Sequence, residues 1–314
     1  MRKKIENLLS LFPSDMRSLW NQVANMQERV YEIRLRANQV ICVYVNQKEC
    51  YLSKSGEVHS NCYQGISITR EDVERVVHHI CKYSIYAYEQ ELRQGYITVE
   101  GGHRIGMVGQ AILEQGKIKN IKNIAGLNIR IAHEIIGAGD HVLPHLYENG
   151  ILYNTFIISP PLAGKTTILR DLIRQISDGN AYGNGMNVSV VDERSEIGGA
   201  YLGVAQNRIG MRTDLLDACP KGEGMMQLIR SMSPKMLAVD ELGSESDVRA
   251  LEQVLQCGCK IMATIHSKDI ADFQHKKVFQ SIIKQRSIER YIVLGATSKV
   301  GEVVGIYNKE FHHV

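Results

Sequence analysis

One segment restricts the possible folds of this chain more than any other. An apolar run at residues 151–158 leads into a short loop, which is followed by a helical pattern that reaches about residue 178. Strand, loop and helix in this order, with Gly-Lys-Thr closing the loop, form the context of a phosphate-binding loop, whose backbone N–H groups surround a phosphate. The sequence therefore predicts a nucleotide site made by Ser159, Pro160, Pro161, Leu162, Ala163, Gly164, Lys165, Thr166 and Thr167.

The residue types in this loop suggest individual roles. The Lys165 ammonium is predicted to reach the β- and γ-phosphate oxygens, and the Thr166 hydroxyl is predicted to coordinate Mg²⁺. Gly164 lets the backbone approach the phosphate closely. Ser159 stands where the usual pattern has its first glycine, and we expect this variant to be tolerated because the rest of the motif is intact. ATP and Mg²⁺ are the predicted cofactors.

Chain length and turn signals predict two domains. A chain of 314 residues is long enough for about two cores. Residues 1–148 mix helical and alternating patterns, which predicts a smaller α+β domain, and Asn149-Gly150 is a strong turn signal. Helices are predicted over about 14–27, after a capping box at 69–72, and in a further segment that ends near Arg93. Strands are predicted over 103–113 and 127–132.

Residues 149–314 alternate strand and helix, which predicts an α/β domain with a mainly parallel sheet. In such a sheet the ligand lies at the carboxyl ends of the strands. The predicted elements of this domain include a helix over 245–256 and a closing hairpin of strands at 289–294 and 300–307.

Composition narrows the class of protein. The net charge is only +3, which argues against a nucleic-acid partner because proteins with such a partner usually carry a strong basic surface. Seven cysteines are scattered through the chain, and they favour a reduced, cytosolic interior. Close spacing occurs only at Cys257-Gly258-Cys259, so no zinc is expected. No apolar run reaches about 18 residues, so the sequence predicts neither a signal peptide nor a membrane span.

Acidic side chains follow two of the predicted strands in the second domain. The strand at 187–191 ends in a segment with Asp192, Glu193 and Glu196, where metal binding and water activation are expected. The alternative is a solvated acidic loop. The apolar strand at 235–239 ends in Asp240-Glu241, the pattern of a Walker B strand.

The Walker B pattern suggests a role for each acid. Asp240 is predicted to hold the hydration shell of Mg²⁺, and Glu241 to orient or deprotonate the attacking water. A further strand at 260–265 delivers His266 to the same edge of the sheet. This histidine is predicted either to sense the γ-phosphate or to be structural.

The order of these motifs resembles that of the hexameric secretion ATPases of type II and type IV systems and of pilus motors. The segments 32–36, 101–106, 127–130 and 192–199 resemble, more narrowly, the stage III sporulation protein AA family of endospore-forming bacteria. The resemblance covers roughly residues 28–308. It implies a RecA-like P-loop ATPase domain preceded by the α+β domain, and homo-hexamers with ATP between subunits.

The same resemblance implies where the protein works and which further residues matter. The expected location is cytoplasmic and peripheral, on the mother-cell side of a channel that spans the engulfing membranes, with a small membrane protein as platform. Arg104 and Arg130 resemble, by position, the N-domain arginines that reach an ATP in a neighbouring subunit; the alternative is an exposed strand face. Two features depart from the secretion ATPases: Ser159 replaces the first loop glycine, and Leu242-Gly243 stands where they usually place an arginine. Their tetracysteine zinc module is also absent.

Three hypotheses of function follow. The chain is a motor ATPase for a secretion-like channel in sporulation, a RecA-like translocase on single-stranded nucleic acid, or an ATP-binding scaffold with little turnover. The low net charge and the lack of interleaved aromatic and basic residues weigh against the translocase. The complete Asp240-Glu241 pair weighs against the scaffold.

Overall fold

The computed structural model describes residues 2–82, 88, 91–92, 95–295 and 301–314, and these form two compact units, 1–133 and 134–314. The predicted boundary lay after residue 148. The structure places residues 134–148 with the second unit, because the apolar side chains of Val142, Leu143 and Leu146 are buried in that unit's core. The helix predicted to end near Arg93 lies largely outside the described residues.

The first unit is an antiparallel sheet covered on one face by helices. Its strands are β1 (Val30–Arg36), β2 (Gln39–Val40), β3 (Cys42–Val45), β4 (Lys48–Leu52), β5 (Val58–His59), β6 (Ser67–Ile68), β7 (Tyr96–Thr98), β8 (Arg104–Glu114) and β9 (Lys117–Arg130). Within the described residues the main sheet has the order β5-β4-β3-β1-β9-β8-β7. Helices α1 (Arg2–Leu9), α2 (Asn21–Asn25) and α3 (Arg70–Ile80) belong to this unit.

Alternation along β1 explains which face of this sheet is buried. Ile33 and Leu35 are fully buried, whereas Glu32, Arg34 and Arg36 lie on the other, polar face. Helix α3 begins where predicted, because the Thr69 hydroxyl accepts a hydrogen bond from the Asp72 N–H. The helix predicted over 14–27 is interrupted: a 3₁₀ turn at Arg17–Trp20 precedes α2, and tertiary packing of Trp20, which stacks on Phe12 at 4.0 Å, overrides helix propensity.

The second unit is a mainly parallel sheet. Its strands are β10 (Tyr147–Glu148), β11 (Ile151–Leu152), β12 (Thr155–Ser159), β13 (Val188–Asp192), β14 (Thr213–Asp217), β15 (Met236–Leu242), β16 (Lys260–His266), β17 (Arg290–Leu294) and β18 (Val303–Asn308). In the described chain the main sheet runs β14-β13-β15-β16-β12-β17-β18. Every pair in it is parallel except β17 with β18, which forms the predicted closing hairpin.

Helices pack on both faces of this sheet. They are α4 (Lys165–Asp178), α5 (Lys221–Met232), α6 (Glu245–Gln256), α7 (Ile270–His275) and α8 (Gln280–Gln285). Two apolar clusters lie on opposite sides of the sheet, because neighbouring residues of a buried strand point to opposite faces. Phe156 belongs to one cluster and Ile157 to the other. Because the strands from β14 to β17 are parallel, their carboxyl ends, where the predicted site residues lie, are all on one side of the domain. We call this side the carboxyl edge of the sheet.

The predicted single strand at 151–158 is divided in two. Asn154 ends the first part, because its side chain serves as a local hydrogen-bonding centre. It donates to the carbonyl of Ser287 at 3.0 Å and accepts from the N–H of Ile261 at 3.1 Å. β12 thus begins at Thr155, within the parallel sheet. Among the described residues, no helix combines the length and the apolar character needed to cross a membrane.

Candidate nucleotide site

The loop between β12 and α4 has the shape predicted from its sequence, with one difference in where the backbone turns. Ser159 is the last residue of β12 and is fully buried, so no left-handed conformation is needed at the position of the usual first glycine. Positive φ values occur instead at Leu162 (62°) and Gly164 (91°). The Leu162 side chain is almost fully exposed. Replacement of the first glycine by serine therefore causes no backbone strain.

The first two residues of α4 contact the two acids at the end of β15. The ammonium of Lys165 donates to Oε1 of Glu241 at 2.6 Å, and the hydroxyl of Thr166 donates to Oδ2 of Asp240 at 2.7 Å. β15 is separated from β12 by β16, so these contacts cross one intervening strand. The structure thus brings Lys165, Thr166, Asp240 and Glu241 together at the carboxyl ends of the strands, and their roles toward a nucleotide stay predictions.

Thr264 on the intervening strand joins the two acids. Its hydroxyl accepts a hydrogen bond from the Glu241 N–H at 2.8 Å and donates to Oδ1 of Asp240. Glu241 has a φ of 56°, which is unusual for a residue with a side chain, and it lies at a break in the register between β15 and β16. Such strained positions concentrate at functional sites. The threonine is therefore part of what holds Glu241 in this conformation.

The acids have opposite electrostatic environments. Burial raises the pKa of Asp240, and this outweighs the hydrogen bonds from Thr264 and Thr166. Burial also acts to raise the pKa of Glu241, but the hydrogen bond and charge of Lys165, with the charges of Arg194 and Lys221, shift it below its ordinary value. Glu241 therefore remains ionised, and the guanidinium of Arg194 donates to its second oxygen at 3.0 Å.

The acidic segment after β13 divides into structural and accessible carboxylates. Asp192 is buried and accepts hydrogen bonds from the N–H groups of Glu196, Ile197 and Gly198 at 2.8–2.9 Å, so it shapes the loop. Burial raises its pKa to about 6. Glu193 is ion-paired with Lys221. This arrangement favours a structural role for Asp192.

Arg170 of α4 connects the phosphate loop helix to this acidic segment. Its guanidinium donates to the carbonyl of Ile197 at 2.7 Å and to that of Glu196 at 2.5 Å. The acidic segment after β13 and the acids at the end of β15 line the same small cavity. It is lined by Asp192, Glu193, Arg194, Glu196, Lys221, Asp240 and Glu241.

His266 lies at the same edge, beside the first residue of the loop. It is opposite Ser159 in the β12–β16 register, and its Nδ1 is 3.0 Å from the carbonyl oxygen of Ser159. Because a carbonyl oxygen only accepts, Nδ1 carries the proton in this contact. The structure therefore places His266 next to the phosphate loop, and its assignment as a γ-phosphate sensor stays a prediction.

The two arginines predicted to act on a neighbouring subunit lie together in the first unit. Arg104 of β8 is directly opposite Arg130 of β9, so both side chains emerge on the same, polar face of the sheet. Arg130 is exposed, and Glu32 is opposite it on β1. The guanidinium of Arg104 lies over the ring of Tyr96, 4.6 Å from its centroid. Whether either arginine acts on a nucleotide remains a prediction.

The donor set at α4 and β15 fits a Mg²⁺-nucleotide. Asp240 is a buried carboxylate whose direct hydrogen-bond partners are two neutral hydroxyls, those of Thr166 and Thr264. A buried carboxylate without a directly paired cation is costly, and a divalent cation would remove that cost. Lys165 supplies the positive charge that a phosphate requires. Carboxylate and hydroxyl oxygens are the ligands that Mg²⁺ prefers.

Sequence reasoning missed three residues that organise the site. Arg170 is a helical residue, and only its long-range contacts to the carbonyls of the acidic segment reveal its role. Lys221 begins α5, and no pattern in the sequence pairs it with Glu193. Thr264 had the best available signal, because a polar residue interrupts a run of buried apolar residues in β16.

The sequence of the whole chain is similar to that of a known family. A sequence profile of the family described as "Sporulation stage III, protein AA" matches residues 1–314. The chain belongs to this family. It is 37% identical over 307 residues to stage III sporulation protein AA of Bacillus subtilis (strain 168), covering 98% of this chain and 96% of that protein.

Solved structures agree with the family on the fold. The ATPase DotB of Legionella pneumophila aligns with a TM-score of 0.58 at 12% identity, covering 95% of this chain and 81% of that one. The pilus retraction motor PilT, solved with bound ADP, aligns with a TM-score of 0.57 at 13% identity, covering 88% of this chain and 77% of that one. The fold is thus the RecA-like fold of secretion ATPases, with an α+β domain before it, as the resemblance implied.

Proposed function

We propose that this protein is a Mg²⁺-dependent ATPase that uses ATP hydrolysis to drive or assemble a secretion-type channel during endospore formation. The observation that carries the proposal is the contact of Lys165 with Glu241 and of Thr166 with Asp240 at the carboxyl edge of the sheet. Phosphoryl transfer to water needs a cation and a hydroxyl that hold the phosphate and its metal, close to acids that hold the metal and activate the water. Lys165, Thr166, Asp240 and Glu241 provide these groups in one place. Membership of the sporulation family supports the biological setting.

Each residue of the site has a task in this proposal. Mg²⁺-ATP, when bound, would supply the γ-phosphoryl group and the metal charge that stabilises its transfer. Lys165 would hold phosphate oxygens with its ammonium, and Thr166 and Asp240 would hold the metal, Asp240 through its hydration shell. Glu241 would orient the attacking water and accept its proton. Burial acts to raise the pKa of Glu241, and Lys165 acts to lower it. The carboxylate is therefore ionised in the present arrangement and would become a stronger proton acceptor as Lys165 turns to the phosphate.

The Lys165–Glu241 contact also suggests how futile hydrolysis is limited. One cation cannot neutralise Glu241 and hold phosphate oxygens with equal strength, so the two roles compete. In the present arrangement both oxygens of Glu241 are engaged, one by Lys165 and one by Arg194. The carboxylate would become available to a water molecule as Lys165 turns to its phosphate role. Glu193, Glu196 and His266 would support this site rather than accept the proton.

The active form in this proposal is a homo-hexamer. The developing charge of phosphoryl transfer needs a cation, and an arginine from a neighbouring subunit can contribute roughly 10³–10⁵ in rate. Arg104 and Arg130 share one polar sheet face, which supports a joint role for them in the site of an adjacent subunit. The hexamer would work on the cytoplasmic, mother-cell side of the channel, bound peripherally to a membrane platform protein.

The proposal can be tested by ATP turnover of the full chain measured across a dilution series. Specific activity should rise with protein concentration, because the site is complete only between subunits. Lys165→Ala subunits and Arg104→Ala/Arg130→Ala subunits should each be inactive alone, and mixing them should restore activity at junctions that combine an intact loop with intact arginines.

The alternatives predict different results in the same assay. Turnover that is constant on dilution, with no recovery on mixing, would show that the arginines do not act between subunits. ATP binding with no turnover under any condition would instead make the protein a nucleotide-dependent scaffold. Stimulation by single-stranded DNA or RNA would favour the translocase.

A further inference from the structure

The β8–β9 hairpin extends beyond the rest of its sheet as an arm. β1 pairs with β9 only from Gly126 to Arg130, and β7 pairs with β8 only as far as Gly106. We call residues 109–123 the arm, since the Ala125 carbonyl still accepts a hydrogen bond from the Ala37 N–H at 2.8 Å. In the arm the two strands pair with each other alone among the described residues, and they close through Gln115-Gly116, where both φ values are positive as a tight two-residue hairpin turn requires.

Apolar side chains are exposed on the arm among its polar residues. Leu113 and Ile118 are opposite each other and are 64% and 53% exposed. Ile112 on the other face is also exposed. A two-stranded ribbon without further partners is marginally stable in water, and its free edges are templates for pairing with another strand. Free backbone N–H and C=O groups also disfavour burial in lipid, which cannot pair with them. The arm therefore fits a protein partner.

The second unit contains a groove with a strand edge as its floor. β14 is the last strand of the parallel sheet and pairs only with β13 in the described chain. The groove, which we call the edge groove, has a volume of about 870 Å³. It is lined by β14, by residues of α4 and α5, which lie on opposite faces of the sheet, and by the segment 203–211. The exposed side chains of Val204, Met211 and Met232 form an apolar rim.

The opposite edge of the same sheet is already covered. The outer strand there is β18, and the C-terminal residues lie along it: the Val314 N–H donates to the carbonyl of Ile306 at 2.9 Å, and the Asn308 N–H donates to that of His312 at 2.9 Å. The contrast matters because proteins normally protect the edges of their sheets. β14 is thus left as the open edge of this sheet within the described residues.

We propose that the arm of one copy of this chain adds as a further strand to β14 in the edge groove of a second copy. The arm strand reads Lys-Ile-Lys-Asn-Ile-Lys over residues 117–122, and β14 reads Thr-Asp-Leu-Leu-Asp. Basic and apolar residues on one strand thus meet acidic and apolar residues on the other. Both segments have the usual length of a paired strand, five to six residues.

One lysine of the arm and one aspartate of the edge groove can form an ion pair between two copies. Lys122 is exposed on the arm, whereas Lys119 is already paired with Glu114. Asp214 lines the edge groove, and its carboxylate has no hydrogen-bond or ion-pair partner in the described part of the chain. Lys122 and Asp214 are therefore the charges free to meet across the interface.

This contact joins different surfaces of two copies, so it is heterologous and builds a ring when the rotation between copies closes. In a closed ring every arm and every edge groove would be occupied. The inference does not rest on ATP hydrolysis, because neither the arm nor the groove includes a residue of the nucleotide site.

The test is sedimentation velocity of the full chain over a range of concentrations, with and without Mg²⁺-ATP. Lys122→Glu and Asp214→Lys should each raise the concentration needed for assembly on the order of tenfold or more, because each places like charges together. The double variant Lys122→Glu/Asp214→Lys should assemble like the wild type. Lys54→Glu, which reverses an exposed lysine in another part of the first unit, is the matched control.

A shortened arm provides a second, independent variant. Replacing residues 112–120 by Asn-Gly keeps the Ala111–Ile121 pair, whose isoleucine packs on the core of the first unit. It should remove assembly while leaving the thermal unfolding midpoint and ATP affinity unchanged. A wild-type chain that stays monomeric at every concentration would overturn the proposal. So would single variants or a shortened arm that assemble like the wild type, and so would a double variant that assembles no better than the single ones.

Discussion

The ammonium of Lys165 lies 2.6 Å from Oε1 of Glu241, so the cation of the phosphate loop directly contacts the carboxylate proposed to activate water. Lys165 is largely buried, with 12% of its side chain exposed, and Glu241 is 31% exposed. The ion pair crosses from α4 to β15 and joins two motifs that are 76 residues apart. Any movement of the Lys165 ammonium toward a phosphate would therefore also change the charge environment of the Glu241 carboxylate.

Removal of the loop cation should abolish tight nucleotide binding without unfolding the protein. Lys165→Ala is expected to weaken ATP affinity by about 10- to 100-fold or more, because a hydrogen bond to a charged group contributes about 1.5–3 kcal/mol. Isothermal calorimetry measures this directly. Lys284→Ala, which removes an exposed lysine at the end of α8, is the control and should bind normally. Unchanged affinity in Lys165→Ala would eliminate the phosphate-loop interpretation.

The Thr166 hydroxyl should matter for the metal and not for the fold. Thr166→Val keeps the shape of the side chain but removes the oxygen that lies 2.7 Å from Asp240. Loss of even an outer-shell partner costs roughly 10–100-fold in metal affinity, and a direct ligand should cost at least as much. The Mg²⁺-dependent part of ATP affinity should therefore be lost in Thr166→Val and retained in Thr166→Ser. Equal Mg²⁺ dependence in the two variants would argue against this ligand.

Acid should destabilise the first unit through His103. This side chain is buried, with 1% of its surface exposed, and its Nδ1 accepts a hydrogen bond from the Ala132 N–H. Burial, with the nearby charge of His133, lowers its pKa to about 4. The unfolded chain, with a histidine pKa of about 6.5, binds the proton first, so stability is lost as pH falls from about 6.5 to 4, by up to about 3 kcal/mol.

The variant His103→Asn tests how much the protonation of His103 contributes to the loss of stability in acid. His103→Asn keeps an acceptor for the Ala132 N–H and does not titrate, so the free energy of unfolding should fall less steeply below pH 6.5 than in the wild type. Urea unfolding at a series of pH values measures the difference. Parallel profiles for the two proteins would show that His103 is not protonated on unfolding.

The sequence predicted many helices and strands of the second unit, because the residues that determine each of them are close together along the chain. The helix predicted over 245–256 is an example, because α6 has these bounds. The structure adds the reason for its start: the Ser244 side chain accepts from the Asp247 N–H, and the Asp247 side chain accepts from the Ser244 N–H. The order of strands and acids at the carboxyl edge followed from the alternation of strand and helix.

Features that depend on distant contacts could not be predicted. The arm is one case, because β9 was expected to begin at Leu127 and begins at Lys117. Its lysines and exposed isoleucines do not follow the alternation of a half-buried strand. Arg170 and Lys221 are others, since their partners lie 26–28 residues away along the chain. The predicted domain boundary failed for the same reason, because only packing assigns residues 134–148 to the second core.

The most direct test of the central claim is a comparison of ATP binding and ATP turnover in Glu241→Gln, with Glu193→Gln and Glu196→Gln as matched controls. Glutamine keeps the shape of the side chain but cannot accept a proton. The account predicts that Glu241→Gln binds Mg²⁺-ATP and loses on the order of 10² or more in turnover, while the two controls keep most of theirs. Normal turnover in Glu241→Gln together with loss of turnover in Glu193→Gln or Glu196→Gln would contradict it and assign the base to the acidic segment after β13.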